Sequence, residues 1–238
     1  SVALVVTDPE GYAVYDGPAA GDTIEIEGIQ LWSHAAPVLY HAVLTLRDAD
    51  GVLQEVVPYD IGFRRFEMIN GVMCLNGERV VFNGVNRHEW NADRGRAIGA
   101  DDMHAAMAVF KKNNINAVRT CHYPDQSLWY DLCDRNGIYM IDETNLESHG
   151  SWQKLGAVEP SWNVPGSLPE WKDCVVDRAR SMFERDKNHA AVLIWSCGNE
   201  SYAGEDILAM SQFFHDHDPG RLVHYAVSYT HLTLPTIC

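Results

Sequence analysis

Basic residues are scarce in this chain: Lys and Arg number 18 against 33 Asp and Glu, a formal charge of −15 over 238 residues. That balance argues against nucleic acid or an anionic membrane as partner and suits a neutral substrate such as a sugar. No apolar run approaches the roughly 18 residues of a membrane helix, and Ser1–Val6 is too short for a signal peptide. Cys74, Cys121, Cys133, Cys174, Cys197 and Cys238 form no C-x-x-C pair. Scattered cysteines of this kind are expected to be reduced and mostly buried, which implies a cytoplasmic compartment. No H-E-x-x-H occurs, which weighs against a metal-dependent hydrolase. What is present, 46% apolar and 10% aromatic residues, belongs to a globular protein with a real core.

Residues 1–67 lack helical period. Ser1–Val6, Thr23–Ile29, Tyr40–Arg47 and Leu53–Val57 read as strands between turn signals at Asp8–Pro9, Asp16–Gly17–Pro18 and Asp50–Gly51, with a hairpin over Leu39–Val57. About 65 residues of this kind are fewer than the roughly 100 of an immunoglobulin-like sandwich, so the C-terminal part of one is expected. After a turn at Asn70–Gly71 the pattern changes to strands alternating with helical periods, the rhythm of β/α architecture. Strands are expected at Val80–Val85, Ile115–Arg119, Ile138–Asp142, Val192–Ser196 and Leu222–Tyr225. Helices are expected near 101–113, 125–136, 169–187 and 205–217, the first with Ala105, Met107, Ala108 and Phe110 on its apolar side, the second ending at Gly137. The fold class is therefore multi-domain β plus α/β: a partial sandwich over 1–67, then a truncated (β/α)8 barrel over 68–227. Such a barrel typically needs about 250 residues. The Thr-rich segment 228–238 is expected to be foreign to the fold.

The organising stretch is Arg185–Ser201, R-D-K-N-H-A-A-V-L-I-W-S-C-G-N-E-S. Its unbroken apolar run suits a strand buried on both faces. Glu200 then lies just past the C-terminal end of that strand, where barrels place their chemistry. A plain helix-start carboxylate accounts for Glu200 about equally well. The other strands also run into polar groups: Asn86-Arg87-His88-Glu89-Trp90, Arg119-Thr120-Cys121-His122-Tyr123, and Asp142-Glu143-Thr144-Asn145-Leu146-Glu147-Ser148-His149. Four such termini at one mouth read as a site. Taken singly, His88 suits an exposed loop histidine, Arg119 an ion-pair partner for Asp142, Glu147-x-His149 a surface coincidence, and Trp90, Trp152 and Trp162 packing.

The run from Asp186 to Glu200 resembles the acid/base signature of glycoside hydrolase family 2. Asn116-Ala-Val-Arg119-Thr-Cys-His122-Tyr-Pro124, continuing through Leu128-Trp129-Tyr130, is similar to that family's second signature. Gly84-Val-Asn-Arg-His-Glu and Glu143-Thr-Asn-Leu-Glu-Ser-His149 resemble its β-galactosidase branch. The resemblance implies a retaining enzyme that cleaves terminal β-D-galactosides such as lactose, with two carboxylates about 5–5.5 Å apart. By it Glu200 is the general acid/base, Asn199 a donor to the sugar 2-hydroxyl, and His88 and His122 ligands of sugar hydroxyls. Arg119 lies beside the nucleophile, and Glu147, His149 and Glu200 hold Mg2+, with Na+ a further ion of the full-length protein. Homo-oligomers are the usual assembly. The nucleophile belongs to a later strand, and nothing after Glu200 fits it. The alternatives are a β-glucuronidase or β-mannosidase of the same family, a metal-dependent barrel hydrolase using His88, His122, Glu147 and His149, and a non-catalytic complementing fragment.

The isolated chain is accordingly expected to leave a nitrophenyl β-galactoside intact and to unfold broadly on heating. Turnover by pure protein, or a sharp cooperative transition of a monomer, would contradict these expectations.

Overall fold

The structure, a computed structural model, describes residues 1–19, 21, 23–148 and 164–226. Strands β1 (Val2–Thr7), β2 (Ala13–Pro18), β3 (Tyr40–Arg47) and β4 (Leu53–Ile61) form an antiparallel sheet in the order β2-β1-β3-β4. β3 and β4 make the expected hairpin, with Gly51 at φ 82° in its turn. Val6, Tyr40 and Ala42 are buried against Leu4, Ile26, Ile29 and Phe63.

Two local expectations fail in this sheet. Asp16–Gly17–Pro18 is the end of β2, opposite Val5, Leu4 and Ala3, and not a turn. β2 is an edge strand, where a proline without an N–H forfeits no ladder bond. Thr23–Ile29 forms no strand. Ile26 and Ile29 pack on the cluster from a segment that turns at Gly28, φ 72°. Alternation there reflects burial rather than pairing.

A small antiparallel sheet of β5 (Phe66–Ile69), β6 (Val72–Leu75) and β7 (Glu78–Arg79) follows, turning at Asn70–Gly71. Next come five parallel strands: β8 (Gly84–Arg87), β9 (Ala117–Thr120), β10 (Tyr139–Glu143), β11 (Val192–Asn199) and β12 (Leu222–Ala226). They pair in sequence order, as the β/α rhythm implies. Helices α1 (Ala100–Lys112), α2 (Ser127–Asn136), α3 (Pro169–Asp186) and α4 (Glu205–His217) accompany them. β11 is buried along its whole length, so its apolar run does face cover on both sides. The first parallel strand starts later than Val80. Val80 donates instead to the Met73 carbonyl of β6 (2.9 Å), and pairing begins at Gly84, where an added Cβ would lie 3.1 Å from that of Ala117. In α1 the buried residues are Met103, Met107 and Phe110, while Ala105 and Ala108 are exposed.

Two segments of the antiparallel part, the connection from β2 to β3 with Trp32 and His34 and the stretch after β4 with Arg64, seal the end of the parallel sheet where the strands begin. Trp32, fully buried, donates its indole N–H to the Asp134 carbonyl (2.8 Å). Arg64 donates to the carbonyls of Ala190 (2.7 Å) and Val192 (2.6 Å). Asp134 receives His189 Nδ1 (2.6 Å) and the Ala191 N–H (2.7 Å), so the histidine in Asp186–His189 holds the start of β11. Gly137 ends α2 in the left-handed region, φ 67°, with an added Cβ meeting the His34 carbonyl oxygen at 2.7 Å.

Gly137→Ala is expected to cost more than about 1 kcal/mol, the left-handed penalty alone, because backbone must also move. Urea unfolding of this region extended to the length of its relatives checks this; a change below that value would place the two segments further apart.

Candidate active site

The opposite end of the parallel sheet, where the strands finish, gathers the polar groups. Arg119 on β9 donates Nε to Glu143 Oε2 (2.6 Å) and Nη2 to Glu143 Oε1 (2.9 Å). Glu143, on β10, is fully buried. Its partner is thus Arg119, and the expected Arg119–Asp142 pair does not form. Asp142 faces the helices, where it accepts the Tyr130 hydroxyl (2.6 Å), and burial raises its pKa well above the carboxylate range. Glu143 also accepts His122 Nδ1 (2.7 Å) and the Ser196 hydroxyl (2.6 Å). Every carboxylate lone pair facing the site is engaged, which is what a buried charge requires.

Arg119 extends the network sideways, donating to Asn86 Oδ1 (3.1 Å) on β8 and Asn199 Oδ1 (2.9 Å) on β11. Asn199 passes one amide hydrogen to Glu147 Oε1 (2.9 Å), and its backbone bridges that of Glu147. His122 Nε2 lies 3.9 Å from Glu147 Oε1. Glu200 follows in the left-handed region, φ 46°, its N–H held by the Ala226 carbonyl (2.8 Å) at the end of β12. Such a conformation costs a non-glycine residue about 1 kcal/mol and gathers at functional sites. Gly198 makes the approach possible, since a Cβ there would meet the Leu146 carbonyl oxygen at 2.6 Å.

His88 reaches the same mouth from the loop after β8. Its neighbours Arg87 and Glu89 are buried while it is exposed. Arg87 pairs with Asp125 (2.5 Å) over the Trp129 ring, and Glu89 accepts the Gln126 N–H (3.0 Å). These bonds tie the loops after β8 and β9 together and set the His88 and His122 rings edge to face, 5.4 Å between centroids. Glu89 is therefore a structural group, and His88 alone of the three faces solvent. Burial, His122 and Arg96 hold the His88 imidazole below its ordinary value. Burial pushes the Cys121 thiol up to about 11, so it is a neutral thiol at neutral pH.

The structure brings Arg119, His122, Asn199, Glu147, Glu200 and His88 to one mouth; His149, Trp152 and Trp162 lie outside the described residues. Trp90, expected to pack, is 66% exposed. The reading of single residues missed Glu143, Ser196 and His224. Ser196 and His224 pair directly across β11 and β12, with Oγ and Nδ1 3.0 Å apart. That contact joins residues far apart in sequence and left no local signal. Glu147 is 36% exposed at its side chain, and Glu200 directly follows Asn199, whose backbone bridges that of Glu147. Carboxylates and water suit Mg2+.

A model of the "Glycosyl hydrolases family 2, TIM barrel domain" matches residues 66–238, and one of "Glycosyl hydrolases family 2" matches residues 4–64. The chain is 62% identical over 202 residues to a β-galactosidase of Clostridium acetobutylicum, covering 85% of this chain and 22% of that protein. It is 53% identical over 231 residues to a β-galactosidase large subunit of Lactobacillus acidophilus, covering 94% of this chain and 37% of that one. The chain thus spans well under half the length of either relative. A β-D-glucuronidase structure from Dictyoglomus thermophilum superposes with a TM-score of 0.81 at 22% identity, covering 96% of this chain and 39% of that one, a likeness of fold.

Burial and the Arg119 charge hold His224 below its ordinary value. The unfolded imidazole ionises near 6.5. The contribution of His224 to stability is therefore complete above about pH 6.5 and is lost as pH falls toward its folded pKa. An NMR titration is expected to place the His224 midpoint below about 6.5; a midpoint above that value would contradict the burial assigned to it.

Proposed function

The chain belongs to glycosyl hydrolase family 2, and on that premise we propose that it supplies the acid/base side of a retaining β-galactosidase site, with Glu200 as the general acid/base. The observation that carries this reading is the convergence of Asn199, Glu147, His122 and Arg119 beside Glu200 at the end of the parallel strands. The galactoside in particular rests on the relatives named β-galactosidase, which favour it over a glucuronide or mannoside.

In this reading Glu200 gives its proton to the departing glycosidic oxygen and later takes one from water. Asn199 has one amide hydrogen on Glu147 and a second available for the sugar 2-hydroxyl. His122, with Nδ1 toward Glu143, presents Nε2 as an acceptor for a sugar hydroxyl, and His88 faces it as a second ligand. Arg119, neutralised by Glu143, orients Asn199 and lies beside the position of the nucleophile. Among the described residues downstream of Glu200, Glu205 and Asp206 open α4, Asp216 falls in its last turn and Asp218 caps its end, so the nucleophile is assigned to chain outside this region. Glu147 and Glu200, with His149, would hold Mg2+, an ion that supplies fixed positive charge at the mouth; Na+ belongs to the full-length protein.

Residues 1–67 are assigned to the C-terminal part of an immunoglobulin-like sandwich and 68–227 to the first part of the barrel; the segment 228–238, expected to be foreign to the fold, lies outside the described residues. The antiparallel sheet and the five sequential parallel strands support both assignments. The proposed setting is a cytoplasmic homo-oligomer; no helix among the described residues is long and apolar enough to cross a membrane.

The test uses this region extended to the length of its relatives. Glu200→Gln is expected to lower kcat/KM for lactose about 10²–10⁴-fold while largely sparing kcat/KM for a dinitrophenyl β-galactoside, whose leaving group needs no proton; turnover of the latter slows only at the water-dependent second step. Equal losses on both substrates would remove Glu200 from the acid role.

A further inference from the structure

His88, Cys121 and His122 offer one ligand atom each, all within 4.8 Å of one another. The glycoside reading uses the two imidazoles for sugar hydroxyls and gives Cys121 no role. Their placement is set by backbone. The Cys121 N–H donates to the Arg87 carbonyl (3.1 Å), which extends the β8–β9 ladder and puts the thiol beside the residue preceding His88. His122 follows Cys121 directly, and its Nδ1 faces Glu143 at 2.7 Å. A carboxylate on Nδ1 leaves Nε2 as the bare nitrogen and raises its basicity, the arrangement that commonly backs a metal-bound histidine.

We propose that His88, Cys121 and His122 form a binding site for a borderline-soft transition-metal cation of the zinc class, with one position left to water. Bonds of about 2.0–2.3 Å at tetrahedral angles put ligand atoms roughly 3.3–3.8 Å apart, so the three must close by about 1 Å. His88 is exposed, and rotation of its ring supplies that movement without disturbing β9. The thiol is neutral in the empty site, and a coordinating ion displaces such a proton into solvent. The Arg119 charge nearby is already matched by Glu143, so an arriving dication does not meet an unpaired guanidinium. Two imidazoles and a thiolate disfavour Mg2+, which seeks oxygen; the site is therefore separate in chemistry from the carboxylate pair Glu147 and Glu200. On the glycoside reading, and only there, an ion held here removes both imidazoles from the sugar and acts as a competitive inhibitor. Metal binding itself does not depend on that reading.

The experiment is a Co2+ titration of the tag-free full chain followed by Zn2+. The expected result is a sulfur-to-cobalt charge-transfer band that reaches its limit at one equivalent, is displaced by Zn2+, disappears in Cys121→Ser and needs roughly tenfold or more Co2+ in His88→Ala. A cobalt spectrum without that band, or one unchanged in Cys121→Ser, would overturn the proposal. Should either variant fail to fold, zinc-edge X-ray absorption of the unaltered chain decides the matter: one sulfur and three nitrogen or oxygen neighbours are expected, and a shell without sulfur would overturn it.

Discussion

The Arg119–Glu143 pair is the interaction on which the polar mouth depends. Taking both charges out of water costs several kcal/mol per ion, and attraction offsets this only where geometry is good and remaining hydrogen-bonding capacity is used. Both conditions hold. The pair is bidentate, and Glu143 takes two further donors from His122 and Ser196 while its N–H goes to the Thr120 hydroxyl (2.9 Å). Arg119 reaches Asn86 and Asn199, and Ser196 reaches His224. One ion pair on adjacent strands thereby fixes side chains from β8 to β12, and a residue such as His122 has its tautomer and ring orientation set before any ligand arrives.

The two ends of the parallel sheet divide the work. Where the strands begin, Trp32, Arg64 and Asp134 satisfy carbonyls and N–H groups and pack the antiparallel unit against the sheet. Where they finish, the same backbone delivers groups with unused capacity: the exposed His88 and the second amide hydrogen of Asn199. This is the division of stability and chemistry between opposite faces that β/α barrels generally show. The left-handed backbone at Glu200 and the close approach at Gly198 belong to the second face. There local strain is compatible with function because the rest of β11 is buried and continuous.

The parallel strands were legible because buried apolar runs and helical periods differ plainly in spacing. Their polar ends were not. β11 continues through Ser196, Cys197, Gly198 and Asn199, residues that look like a loop in sequence yet remain in the ladder. Arg119's partner was misread by one residue. Side chains alternate across a strand, and with Arg119 opposite Ile141 it is Glu143, two further on, that shares its face. Register supplies that distinction, and register is a property of two strands together. The edge position that admits Pro18 into β2, and the exposure of Trp90, depend likewise on what lies beside them. The family resemblance, by contrast, singled out Glu200, Asn199, His122 and Arg119, and the structure brings these four to one mouth.

A double-mutant cycle on Arg119→Gln and Glu143→Gln, read by urea unfolding of this region extended to the length of its relatives, tests the dependence of the mouth on this pair most directly. Each single change is expected to cost roughly 3–5 kcal/mol, since it leaves a buried charge without its partner. The double variant should cost less than the sum by about 2 kcal/mol or more. Additive losses would mean that Arg119 and Glu143 are stabilised independently, and the pair would no longer explain how the ends of five strands are held together.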